Sequence, residues 1–276
     1  MLKDFFSKKS RCVADLAKDF FAEYFDVSVG GSSAQLSYYF LFSLFPFLMS
    51  TSALAVFYSR EAVFLSDLLP DVLDELFTQF LEHSRLQSNA AFFSSGLILF
   101  LYAMARYINC IKRKLRDIFV TEREHGIVTE WILSLVYSVF IFVGLVFTFA
   151  LQSAGAEIIK YFSDKLFFIP AVFIFFWPIL RFGFIGIYVF ALLLLLYKTV
   201  PTGIQTGSSV IKAAFLASVS WILISVGFSF YIDNISNHSG VYGSISAFIV
   251  LMLWLYIVNN IILSGAVFAK ILSQKR

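Results

Sequence analysis

Apolar residues run almost unbroken through six stretches of the chain, and polar residues gather between them. Leu36 to Tyr58, Ala90 to Ala105, Trp131 to Ala150, Phe182 to Tyr197, Ala213 to Tyr231 and Ser244 to Ala269 carry almost no charge. A helix needs about 20 apolar residues to cross the hydrocarbon core of a bilayer. The pattern predicts an all-α integral membrane protein with six transmembrane helices, at about 36–58, 90–109, 131–151, 182–198, 211–231 and 243–270. Residues 33–272 then form one membrane domain, preceded by an arm (1–32) and followed by a short tail (273–276).

Two further segments have a helical period without that apolar length. From Cys12 to Phe25, one face holds Val13, Leu16, Ala17, Phe20, Phe21 and Tyr24, while Asp15, Lys18, Asp19 and Glu23 lie elsewhere. Such an amphipathic helix either lies on the inner interface or packs on the end of the bundle. After Pro70, which suits a first helical turn, Val72, Leu73, Leu76, Phe77, Phe80 and Leu81 oppose Asp71, Asp74, Glu75 and Glu82. This second helix either caps a cavity or rests on the lipid surface.

The fourth run is overlong. It extends from Leu166 to Tyr197, with Pro170, Pro178, Arg181, Gly183 and Gly186 in its first half. A short interfacial or re-entrant piece over Leu166 to Ile179, followed by a span from Phe182, accounts for this. A single tilted and kinked helix is the alternative. Asp233 to Tyr242 reads as a loop, with glycosylation triplets at Asn234 and Asn237 that matter only in a eukaryotic secretory pathway.

Charge sets the direction of threading. The chain has 276 residues, is 59% hydrophobic and 14% charged, and its net charge of +3 does not point to nucleic acid. Lysine and arginine gather on alternate links: Lys3, Lys8, Lys9, Arg11 and Lys18 in the arm; Lys112, Arg113, Lys114, Arg116 and Arg123 after the second run; Lys198 and Lys212; and Lys270, Lys275 and Arg276. By the positive-inside rule both termini are cytoplasmic. Cys12 and Cys110 then face the reducing side, so a structural disulfide is not expected. The first apolar run starts too late and is too long for a signal peptide, and is expected to stay as a span.

Three stretches together resemble the YihY/BrkB family of bacterial inner-membrane proteins. They are Ser33 to Leu48 (SAQLSYYFLFSLFPFL); Leu196 to Pro201 (LYKTVP), leading to Lys212; and Tyr242 to Phe248 (YGSISAF), running on through Leu253 to Tyr256 (LWLY) and Ser264 to Ala266. The resemblance covers about Ser33 to Lys270. It implies six helices with both ends inside, in the bacterial cytoplasmic membrane. It implies little about activity, since the family's former label, ribonuclease BN, is generally regarded as misassigned. Members often carry an acidic residue where this chain has Val267, so any role of that carboxylate is in doubt here.

The residues offer little for catalysis. A nuclease needs clustered carboxylates or histidines, and His83, His125 and His238 are far apart. No metal-ligand spacing, phosphate loop or nucleophile turn is present, so no catalytic residue, metal or cofactor is expected. The Lys112 to Arg116 cluster could touch RNA or anionic lipid, but setting the topology is its simpler explanation.

Polar residues inside the spans are more suggestive. Tyr102, Arg106, Asn109 and Arg113 form a stripe on the second span; Tyr256, Asn260 and Ser264, with Asn259 alongside, form one on the sixth; Tyr39, Ser43, Pro46 and Ser50 align on the first. Such stripes should face the bundle interior. Arg106 has the alternative of snorkelling to the inner interface, and the others of bonding between helices. Candidate substrate-binding residues are therefore Arg106, Asn109, Tyr39, Ser43, Tyr256 and Asn260. Candidate structural or hinge positions are Pro46, Pro201, Gly243 and Gly265; Gly265 and Ala269 make a small-residue pair suited to close helix contact or to dimerisation. The favoured function is a transporter or flippase-like carrier of an amphipathic or anionic solute. The alternatives are a non-transporting scaffold or lipid-binding protein and, last, a membrane-bound ribonuclease. Expected partners are membrane lipids and further copies of the chain, and no nucleic acid.

Overall fold

A computed structural model describes residues 15–58, 90–121, 126–165, 170–199, 207–235 and 243–274. Side chains are described for 15–51, 91–121, 126–148, 183–199, 207–231 and 248–274. The acidic segment after Pro70, the three histidines, Asn237 and Pro201 lie outside the described residues.

The described residues are helical almost throughout. A short helix, α1 (15–26), turns at 27–28 into α2 (Val29–Tyr58). There follow α3 (Ala90–Phe119), α4 (Ile127–Lys165), α5 (Pro170–Thr199), α6 (Gly207–Ile235) and α7 (Gly243–Gln274). Backbone groups in hydrocarbon have no water to bond, so each apolar run satisfies its own as helix. The helices overrun the apolar runs because polar residues continue the same hydrogen-bond ladder at the ends. α4, α6, α7 and α3 are long and apolar enough to cross a membrane by length and composition.

The expected split in the fourth run is not observed: α5 is one helix from Pro170 through Pro178 to Thr199. Pro170 occupies the first helical position, where a missing N–H costs nothing, and Pro178 removes one N–H from the ladder without ending the helix. Pro46 likewise sits inside a continuous α2.

α2 to α7 form a ring in chain order. Each packs on the next, α7 closes on α2, and α3 also touches α7 across the ring. Neighbours are antiparallel: Phe47 meets Phe100 while Phe40 meets Tyr107, and Phe147 meets Phe184 while Tyr137 meets Thr199. Close approach relies on glycine. A Cβ on Gly96 would lie 2.9 Å from the Ser50 nitrogen and 3.2 Å from the Pro46 carbonyl oxygen, so α2 and α3 cross nearly backbone to backbone.

The densest packing lies at the end that carries α1. Val29, Leu36, Ile108, Ile111, Leu115 and Tyr197 are buried there, with Ala213, Ala217 and Ala266 letting α6 and α7 draw close. Around the outside, Ile98, Val136, Val143, Leu223, Val226 and Ile249 are exposed. In water such a belt would be an aggregating patch; in a bilayer it is the lipid-facing surface.

α1 takes the second of its two expected placements. Leu16, Phe20 and Tyr24 pack against the core. Phe21, expected on the same face, is exposed with Phe25.

Candidate functional site

Four polar arrangements lie near the α1 end. The first joins α2, α3 and α7. The Tyr107 hydroxyl donates to Asn259 Oδ1 at 2.7 Å, and Asn259 Nδ2 donates to Ser37 Oγ at 3.2 Å and to the Leu255 carbonyl at 2.9 Å. Asn259 is 1% exposed. A buried amide is tolerated because both its ends are bonded, and the cross-links fix the rotation of α7 against α2 and α3.

The second joins α3 and α4. Lys112, 1% exposed, sets its ammonium 2.8 Å from Glu130 Oε2 and donates to the Glu130 carbonyl at 2.8 Å. Glu130 Oε1 accepts from Arg116 Nη1 at 2.8 Å. Ser134 donates to Asn109 Oδ1 at 2.8 Å and to the Glu130 carbonyl at 2.9 Å. One carboxylate thus balances two cations where little water reaches. Asn109 Nδ2 is buried with no hydrogen-bond partner among the described residues.

The third holds α1 on α7. Asn260 Nδ2 donates to the Tyr24 hydroxyl at 2.9 Å, Ser264 donates to Asn260 Oδ1 at 3.3 Å, and Lys270 pairs with Glu23 at 2.5 Å. A Cβ on Gly30 would meet the Tyr256 hydroxyl at 3.3 Å, which places Tyr256 beside the α1–α2 turn.

The fourth is a cleft between α2 and the last turns of α3, about 370 Å³ in volume, lined by Gln35, Arg113, Lys114, Arg116, Asp117 and Thr121. α3 ends in a double-bonded turn: the Val120 N–H bonds the Asp117 carbonyl at 3.3 Å and the Thr121 N–H bonds the Arg116 carbonyl at 3.1 Å. The residue at the turn has φ 54°, a left-handed conformation that suits glycine, and here it is Val120. The turn folds Thr121 back over the helix end to line the cleft.

The six expected binding residues are not gathered around one interior space. Tyr39 packs against the core, and Ser43 bonds the Phe40 carbonyl of its own helix at 2.6 Å. Tyr256 and Asn260 face α1, and Asn109 faces α4. Arg106 is exposed on the outer face of α3, as is Tyr102, 56% exposed, whose ring stacks near Trp131. The expected inward stripe on α3 is thus corrected: Tyr102 and Arg106 point out, where an arginine can snorkel, and Tyr107, one residue and about 100° from Arg106, points in. On α7 the inward amide is Asn259 rather than Asn260. Periodicity finds a polar stripe but cannot choose between adjacent residues when neighbours lie on both sides.

Gly265 accommodates Tyr197: a Cβ there would lie 2.5 Å from the Tyr197 hydroxyl and 2.9 Å from the Ala217 Cβ. That hydroxyl donates to the Ile262 carbonyl at 2.5 Å. The small face expected to pack closely or to dimerise is occupied within the chain. Gly243 begins α7. Lys112, Glu130 and Tyr197 carry no stripe in the sequence, and Lys112 reads there only as one of five clustered cations. Among the described residues no group of histidine, cysteine or carboxylate side chains could hold a metal ion.

A family model described as virulence factor BrkB matches residues 20–276. YfkH of Bacillus subtilis, named as a ribonuclease-like protein, is 28% identical over 269 residues, covering 94% of this chain and 95% of that protein. A UPF0761 membrane protein of Chromobacterium violaceum is 35% identical over 81 residues, 29% of this chain and 19% of that protein. Another from Tolumonas auensis is 32% identical over 82 residues, 30% of this chain and 27% of that protein. This chain thus spans nearly all of YfkH and under a third of either UPF0761 protein. No solved structure matches.

Proposed function

The chain belongs to the virulence factor BrkB family of membrane proteins, and from that premise we propose that it is a flippase-like carrier of an anionic amphiphile in the bacterial cytoplasmic membrane. In this reading α2 to α7 are six spans with both termini cytoplasmic. The alternating placement of lysine and arginine supports that orientation, because the α1 end of the bundle holds Lys112, Arg113, Lys114, Arg116 and Lys270.

One observation carries the reading. Arg106 stands exposed on the outer surface of α3, which faces lipid in the six-span reading, and Arg113 of the cleft lies two helical turns, about 10 Å, further along the same face. A guanidinium on a lipid-facing surface is costly unless the headgroup layer or an anionic partner meets it. A headgroup at the cleft would place its acyl chains past Tyr102 and Arg106, among the exposed apolar residues of α3 and α4. The solute would travel along the outside of the bundle rather than through it.

The non-transporting reading, a lipid-binding protein or scaffold, has one observation in its favour. Ser37, Tyr107 and Asn259 satisfy one another across the ring, as a fixed structural contact would. The ribonuclease wording of YfkH's name gives the least supported reading, since the buried carboxylate of Glu130 is held by two cations.

The test is lipid translocation in proteoliposomes with a fluorescent phosphatidylglycerol. Wild-type protein should move the lipid between leaflets faster than protein-free vesicles do, and Arg106→Gln should slow it several-fold. Movement at the protein-free rate would overturn the carrier reading in favour of the non-transporting one.

A further inference from the structure

We propose that the cleft between α2 and the end of α3 is a phosphate-binding site that receives the phosphoryl headgroup of an anionic amphiphile. The proposal names the loading site of the carrier reading, but binding at the cleft does not require transport.

The cleft combines charge, free donors and room. Three cationic side chains and one carboxylate line it. Two of the cations are engaged: Arg116 gives Nη1 to Glu130, and Lys114 lies 3.9 Å from Asp117, beyond hydrogen-bond range. Arg113 is exposed and makes no hydrogen bond or ion pair with any described residue. The cleft thus keeps a whole guanidinium fork in Arg113 and much of the Arg116 guanidinium, with the Lys114 ammonium shared with Asp117. Arginine forks match the oxygens of a phosphate in pairs, so the donor set fits a phosphoryl group better than a halide or a lone carboxylate.

Thr121 supplies an independent observation. Thr121 lines the cleft, and its Oγ1 is buried with no hydrogen-bond partner among the described residues. Buried hydroxyls are normally bonded, and leaving one unmet is unfavourable. A rotation about the Thr121 Cα–Cβ bond would present it to a phosphate oxygen in the cleft. The left-handed Val120 that folds Thr121 into place is a conformation valine adopts only at a cost. The volume of about 370 Å³ leaves room for a phosphoryl headgroup.

Position favours a lipid over a soluble solute. Gln35 and Arg113 open the cleft at the end of the apolar belt, at the depth of a headgroup layer in the six-span reading. The net positive charge that sets the topology accounts for cations at this level, but not for a cleft, a free fork or an orphaned hydroxyl.

The experiment is native mass spectrometry of the full chain in detergent micelles doped with phosphatidylglycerol. Wild type is compared with Arg113→Gln, Thr121→Val and Lys212→Gln, the last removing an exposed cation from α6. Arg113→Gln should reduce retained lipid about tenfold, the loss of one charge-assisted contact, and Thr121→Val severalfold; Lys212→Gln should leave it unchanged. Adding glycerol phosphate separates the sources: displacement at millimolar concentration assigns the site to a soluble phosphate ester, and its failure assigns it to the lipid. Equal loss in Arg113→Gln and Lys212→Gln would mean diffuse attraction and overturn the proposal. So would a short RNA that binds through Arg113 while no lipid is retained. Because the readout is binding, a negative translocation assay leaves this result standing, and the reverse holds too.

Discussion

Glu130 is the residue on which the α3–α4 contact is most exposed to a single atom change. Glu130→Gln keeps the shape and removes the charge. Lys112, 1% exposed, then loses the carboxylate 2.8 Å from its ammonium, and Arg116 loses the acceptor 2.8 Å from Nη1. Removing one partner of a buried ion pair costs about 3–5 kcal/mol, because the remaining charge is left in a medium that solvates it poorly. Lys112→Met should cost less, about 1–2 kcal/mol: Arg116 still balances Glu130, and the Glu130 carbonyl still accepts from Ser134 at 2.9 Å. The double variant leaves no buried lysine in need of a carboxylate, so it should be more stable than Glu130→Gln alone. Thermal midpoints of the purified protein in one detergent, at one scan rate, would report the order. Glu130→Gln should lie on the order of 10 °C below wild type and the double variant between the two. If Glu130→Gln were no worse than Lys112→Met, the pair would not be acting as a desolvated ion pair and the reasoning would fail.

Two further outcomes follow from the packing. Gly265→Ala drives a Cβ to 2.5 Å from the Tyr197 hydroxyl, and should lower stability by about 1–3 kcal/mol in the same thermal assay. Adding Tyr197→Phe removes the clashing atom and should recover part of that loss; no recovery would show that the Ala217 contact dominates. Val120→Gly relieves a left-handed valine that is 78% exposed, and should stabilise by about 0.5–1 kcal/mol, a gain of a few degrees. A drop in midpoint would mean that Val120 makes a contact outweighing its backbone strain.

Where sequence and structure part, the cause is a choice between neighbouring positions. The stripe Tyr102, Arg106, Asn109 and Arg113 is real as a helical pattern, yet α3 has neighbours on several sides, and the residue bonded across the ring is Tyr107. Asn259 and Asn260 are adjacent and chemically equal, but one reaches Ser37 and Tyr107 and the other reaches Tyr24. The fourth run was expected to break at its prolines, and α5 passes through them. α1 carries an apolar face that fits either lipid or protein, and it is the Glu23–Lys270 and Tyr24–Asn260 contacts that commit it to α7.

The sequence by itself determined that this chain is a helical membrane protein and roughly where its apolar runs lie, though not how far each helix extends. Hydrocarbon penalises an unbonded backbone group and an unmet charge so heavily that apolar length alone fixes those features. The lopsided lysines and arginines add an expected orientation, and the Ser33 to Leu48 and Tyr242 to Ala266 stretches point to the family that residues 20–276 match. Only the tertiary structure decided which polar groups meet: the burial of Lys112 with Glu130, the seating of Tyr197 on Gly265, the outward turn of Arg106 and the cleft at the end of α3. These depend on how far each helix is rotated about its axis. One residue turns a helix by about 100°, and van der Waals contact with distant helices, rather than local pattern, selects the angle.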